Sequence, residues 1–132
     1  MARIDYYGTD DIVKKLEKLK VNTTQALAQA LKESAEVPKR EMLDYIKQHR
    51  KTGKTEESFT ETIKTENDVI YLELGFNLSG ANKPGLPALF LNYGTPFIEP
   101  SFFIDKAIEN NTDKIKQTQQ KTLERIAKEN NL

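Results

Sequence analysis

The sequence predicts an α+β domain: a small antiparallel sheet (a hairpin plus short strands) packed against one long bent helix and a long C-terminal helix. Three observations carry this. Apolar residues recur at helical spacing through residues 23–50 and again through 101–130. Between them, a Thr-rich strand over 58–64 and a strand over 69–76 flank turn chemistry at 66–68, as an antiparallel hairpin does. The length of 132 residues suits one domain spanning 1–132, and no internal repeat divides it.

Residues 2–7 alternate weakly, with Ile4 and Tyr6 on one side, and read as a short strand ending at Gly8. Thr9 is a suitable N-cap, and Asp10 and Asp11 follow where the helix dipole favours negative charge. Ile12, Leu16 and Leu19 mark a short first helix that stops near Val21–Asn22. Thr23 or Thr24 restarts a helix whose apolar face is Leu27, Leu31, Ala35, Pro38, Met42, Tyr45 and Ile46. Pro38 removes one hydrogen bond and clashes with the preceding turn, so a bend is expected near Ala35–Pro38. The helix should end near His49–Lys51, before Gly53.

Ser58–Lys64 is a Thr-rich strand with one solvated face. Glu66–Asn67–Asp68 is turn chemistry. Val69–Phe76 is the strongest strand, with Ile70, Leu72, Leu74 and Phe76 on one face. Residues 77–88 contain glycines and prolines without periodicity and read as a flexible loop. Leu89–Tyr93 reads as a short apolar strand returning to the sheet. Residues 101–130 read as one helix whose apolar stripe thins beyond Asn111, so its second half is expected to project past the core, fray, or meet a partner.

The segment Tyr93–Phe103 joins these last two elements and holds Gly94, Pro96, Pro100, Phe97, Phe102 and Phe103. Two prolines with fixed φ make it a stiff, aromatic-rich connector. It contains no catalytic group and points toward an assembly part.

Composition narrows the function classes. Lys and Arg total 20 and Asp and Glu total 20, without the basic excess of a dedicated nucleic-acid binder. Charged residues reach 30% and hydrophobic ones 37%, which suits a small core or burial completed against partners. With no cysteine, disulfides, thiolate metal sites and cysteine nucleophiles are excluded. No apolar run reaches the roughly 18 residues of a membrane span. Met1–Asp5 lacks an apolar signal-like core, so synthesis and folding in the cytoplasm are expected.

The candidate sites have ordinary explanations beside the functional ones. Lys47, His49, Arg50, Lys51 and Lys54 could meet phosphate or an acidic partner, but cations collect at helix C-termini. Joined by Lys64 and Lys83, they are what a small nucleic-acid- or protein-binding adaptor would use. His49, the only histidine, could act on Ser58 in a small hydrolase; a solvated helix-end histidine accounts for it better. Neighbouring carboxylates Asp10–Asp11 and Glu56–Glu57 point apart along their backbone and do not form an acid–base pair. Gly80, Lys83 and Gly85 lack the ending of a phosphate-binding loop, and the loop they occupy is a segment that could order on docking. Neither a cofactor nor a metal site is predicted.

The landmarks, taken in order, resemble the tail-completion (head–tail joining, minor tail or neck) proteins of long-tailed bacteriophages and prophages. The resemblance runs from the strand and short helix around Ile4–Leu19 to Thr52-Gly53 with Ser58 after the long helix, then the hairpin, then Tyr93-Gly94-Thr95, then Pro96-Phe97-Ile98-Glu99-Pro100 opening the last helix. The chain departs from that pattern at Thr55, Asn92 and Ser101. The resemblance implies a non-enzymatic virion component, assembled in the bacterial cytoplasm, that forms rings with itself, commonly six-fold. It also implies contact with tail-tube and head-connector proteins, and none with membrane or specific nucleic-acid sequences. The expected interface residues are Thr52, Gly53, Lys83, Leu86, Tyr93, Gly94, Thr95, Phe97, Phe102 and Phe103, of which the three phenylalanines read equally as core or hinge packing, with at least one left exposed as an anchor.

Overall fold

The computed structural model describes residues 2–6, 10–18, 22–49, 53–67, 69–80 and 83–130. The elements run β1 (Ala2–Ile4), α1 (Asp10–Lys18), α2 (Thr23–Ser34), α3 (Glu36–Gln48), α4 (Lys54–Glu57), β2 (Phe59–Glu66), β3 (Val69–Phe76), α5 (Leu86–Tyr93), α6 (Phe103–Glu109) and α7 (Thr112–Asn130). The architecture is α+β. The three strands form an antiparallel sheet in the order β1-β3-β2.

The alternation along β3 decides which side of the sheet is covered. Leu72, Leu74 and Phe76 are fully buried beneath the helices. Pairing sets Ile4 and Ile63 beside Leu72, and Ala2 and Glu61 beside Leu74. The other face is polar, with Arg3 stacked 3.8 Å over the Tyr71 ring and Lys64 bridged to Glu73 at 3.2 Å. Pairing of Glu66 with Val69 leaves a tight turn, where Asn67 takes φ +51°, a conformation asparagine tolerates. The remainder of that turn, Asp68, lies outside the described residues, as do Gly8, Thr9, Leu19 and Val21.

The long helix bends where expected. Asn22 caps α2 by accepting from the Gln25 N–H at 3.2 Å. Ala35 closes α2 and opens α3, so Pro38 falls in the first turn of α3, where a missing N–H is tolerated. The backbone continues across the bend: Ala35 N–H donates to Leu31 O and Lys39 N–H to Ala35 O.

Three expectations about the fold require correction. Residues 89–93 are not a strand but part of α5, so the loop before it ends at Gly85. Leucine and alanine favour helix, Pro87 sits in the first turn and Gly94 closes the last. The C-terminal segment is not one helix either. It breaks at Asn110–Asn111, where the Asn111 side chain donates to Ala107 O at 2.8 Å and to Glu41 Oε2 at 2.7 Å. The break turns α7 away from α3 and the sheet, which α6 covers, and lays it along α2 and α1.

Nor does α7 project past the core. Leu123, Ile126 and Ala127 pack with Leu16, Ala26 and Ala30 in a second hydrophobic cluster. Gln119 and Thr122 occupy the intervening buried positions. Gln119 Nε2 donates to Asp5 O at 2.7 Å, and the Thr122 hydroxyl donates to Glu33. Tyr6 donates its hydroxyl to Leu27 O, and burial raises its pKa.

Candidate interaction surface

The segment between α5 and α6 folds into a braced turn. Gly94 has φ +82° and ψ 170°, a conformation confined to glycine, and a Cβ there would meet Ile98 O and Pro100 Cδ at 2.9 Å. Thr95 and Ile98 then exchange backbone hydrogen bonds, 2.9 Å from Thr95 N–H and 3.2 Å from Ile98 N–H. Thr95 Oγ1 accepts from the Phe97 N–H at 3.1 Å. Pro96 and Phe97 form the tip, and Phe97 is 97% exposed.

The returning segment is fastened to the end of α5. Ser101 N–H donates to Leu91 O at 3.0 Å, Phe102 N–H to Asn92 O at 2.9 Å, and Ser101 Oγ to Leu91 O at 2.6 Å. Asn92 is fully buried; its Oδ1 accepts from the Ile104 N–H at 2.9 Å and its Nδ2 donates to Asp105 Oδ2 at 3.1 Å. Phe102, at φ +53°, is the residue that lets the chain enter α6.

Most of the exposed large apolar side chains among the described residues belong to this stretch of chain. Phe90 and Phe102 are each 43% exposed, Tyr93 is 58% exposed, and Ile98 also faces solvent. Among the expected interface residues, the fold brings Tyr93, Gly94, Thr95, Phe97 and Phe102 together. Phe103 is corrected: it is buried, its ring stacked on Tyr45 at 4.5 Å and tilted against Phe76 at 6.3 Å. Adjacent phenylalanines diverge because Phe102 turns left-handed while Phe103 starts the helix over the sheet.

Lys83 is exposed and Leu86 half-buried at the start of α5. Gly53, with φ +82°, precedes α4, which packs against α5. Thr52 lies outside the described residues, with Arg50 and Lys51. Sequence reasoning missed Phe90, Ile98, Asn92 and Ser101. An asparagine inside an apolar run was the available signal for Asn92, since such a group must find partners when buried.

The catalytic candidates are engaged otherwise. His49 is exposed, stacked on Tyr45 at 4.5 Å, with Nδ1 2.9 Å from Tyr45 O. Ser58 is buried and donates its hydroxyl to Thr55 O at 2.6 Å. Among the described residues, no three histidine or carboxylate side chains converge to hold a metal ion, and no helix is long and apolar enough to cross a membrane. Asp11 is exposed in the first turn of α1, and Glu56 and Glu57 belong to the short α4. No protein-family pattern, curated protein or solved structure matches the chain.

Proposed function

We propose that this protein is a non-enzymatic structural subunit of a long-tailed bacteriophage or prophage, acting at the head–tail junction or tail terminus as part of a ring. The observation that carries the reading is the braced aromatic turn, with Phe97 held in solvent by Gly94, Thr95, Asn92 and Ser101. Burying one such ring is worth about 2–3 kcal/mol. Holding it ready in advance lowers the ordering cost of association. Several exposed aromatics on one short segment suit a subunit that meets other subunits. The order of the Thr52-Gly53, Tyr93-Gly94-Thr95 and Pro96–Pro100 motifs supports the same reading.

The test is localisation. Antibody raised against the chain and applied to particles from a lysate is expected to label the junction between head and tail, or the tail end, under the electron microscope. Particles that carry no label at either position would overturn the reading.

A further inference from the structure

We propose that the aromatic turn of one copy seats in a cationic cleft between α1 and α7 of the next copy. This rests on the ring-forming reading above and names the two faces of that contact. The cleft has an open volume of about 600 Å³; Ile12 and Ala127 give it apolar lining, and Lys15, Lys121, Arg125 and Lys128 give it charge. Glu124 is the single acid in the lining. Arg125 is shared between Glu33 at 3.1 Å and Glu129 at 3.8 Å. Lys15, Lys121 and Lys128 are exposed and have no acidic partner among the described residues.

The turn is the complement. From Tyr93 to Phe102 it carries one charged residue, Glu99, and no base. Its leading group is the Phe97 ring, whose faces attract cations, while lysine stems cover its apolar body. The fold already uses this chemistry, with Arg3 at 3.8 Å over Tyr71 and Lys39 at 6.0 Å from the Phe59 ring. The turn belongs to α5 and α6, and the cleft to α1 and α7. One copy therefore presents two different faces, and a contact between unlike faces propagates from copy to copy until it closes into a ring or extends as a filament.

Sedimentation velocity on the full chain tests the contact, using Phe97→Ala and the double variant Lys121→Glu/Lys128→Glu, each first matched to the parent by circular dichroism. If the double variant misfolds, Lys15→Glu probes the cleft from α1. The parent chain is expected to associate with rising concentration, and each variant to associate at least about tenfold more weakly, with higher salt weakening the parent as well. An equal mixture should form dimers and nothing larger, because one variant keeps its cleft and the other its turn. The contact is overturned if the parent stays monomeric at every concentration, if cleft variants associate like the parent, or if the mixture stays monomeric. Normal association of the cleft variants together with a labelled junction would remove this contact and leave the functional reading standing; an unlabelled junction would remove the reading itself.

Discussion

The Oδ1 atom of Asn92 lies 2.9 Å from the backbone nitrogen of Ile104 and accepts its hydrogen, so the last turn of α5 caps the first turn of α6. The aromatic turn is thereby clamped between two helices that grip one another through a single amide. Helix starts leave N–H groups without intrahelical partners, and a buried one is costly unless a side chain reaches it.

Asn92→Ala is therefore expected to lower stability by about 1–3 kcal/mol, the cost of orphaning a buried polar group. Chemical denaturation measures it. Asn92→Asp keeps an acceptor for Ile104 but sets a second carboxylate against Asp105, so it should also destabilise, more at neutral pH than in acid.

Gly94 and Gly53 share a φ of +82° but differ in surroundings. A methyl group at Gly53 meets open space, so Gly53→Ala should cost only the backbone strain, about 1 kcal/mol. At Gly94 it meets Ile98 O and Pro100, so Gly94→Ala should cost more, about 1–3 kcal/mol, and displace the turn. Melting curves of the two variants side by side check the order.

Phe97→Ala and Phe103→Ala separate surface from core. The first should leave the stability of the isolated chain within about 0.5 kcal/mol, because an exposed ring contributes little to folding. The second removes a ring stacked on Tyr45 and should cost about 3–5 kcal/mol. Equal losses in urea unfolding would contradict the placement of the two rings.

Glu33 links α2 to α7. Burial pushes its carboxyl pKa up, but hydrogen bonds from Thr122 and Arg125 outweigh this and hold it below the usual value. A lowered carboxylate pKa stabilises fully above the unfolded value and is lost as pH falls through the folded one. Melting temperature should therefore drop on acidification from about pH 5 to about pH 3, and Glu33→Gln should flatten that slope. An unchanged slope would show that this carboxylate does not couple to folding.

What could be read from the sequence depended on periodicity. Val69–Phe76 places an apolar residue at every second position from Ile70, and the residues expected to share its covered face, Ile70, Leu72, Leu74 and Phe76, pack together in the core. Pro38 announced the bend because its geometry admits few alternatives. The short run at Leu89–Tyr93 misled, since a brief apolar stretch has no period of its own to separate strand from helix. Pro87 and Gly94 were the better guides. The thin stripe beyond Asn111 misled for a different reason: Gln119 and Thr122 occupy interior positions with their hydrogen bonds met, so burial there left no apolar trace. Phe102 and Phe103 were indistinguishable by composition, and only the left-handed turn between connector and helix sends one outward and the other inward.

Ala30 and Leu31 are consecutive, yet they belong to separate hydrophobic clusters, one with α1 and α7 and one with the sheet. α2 is thus an axle common to both halves of the molecule. α7 also touches the sheet side directly, through Ile115 in the sheet's cluster and the Gln119 hydrogen bond to Asp5 O, so load applied where α7 lies would reach the strands with little slack. A push on one half would therefore tilt the other in step, and the two clusters should give way together when the chain unfolds.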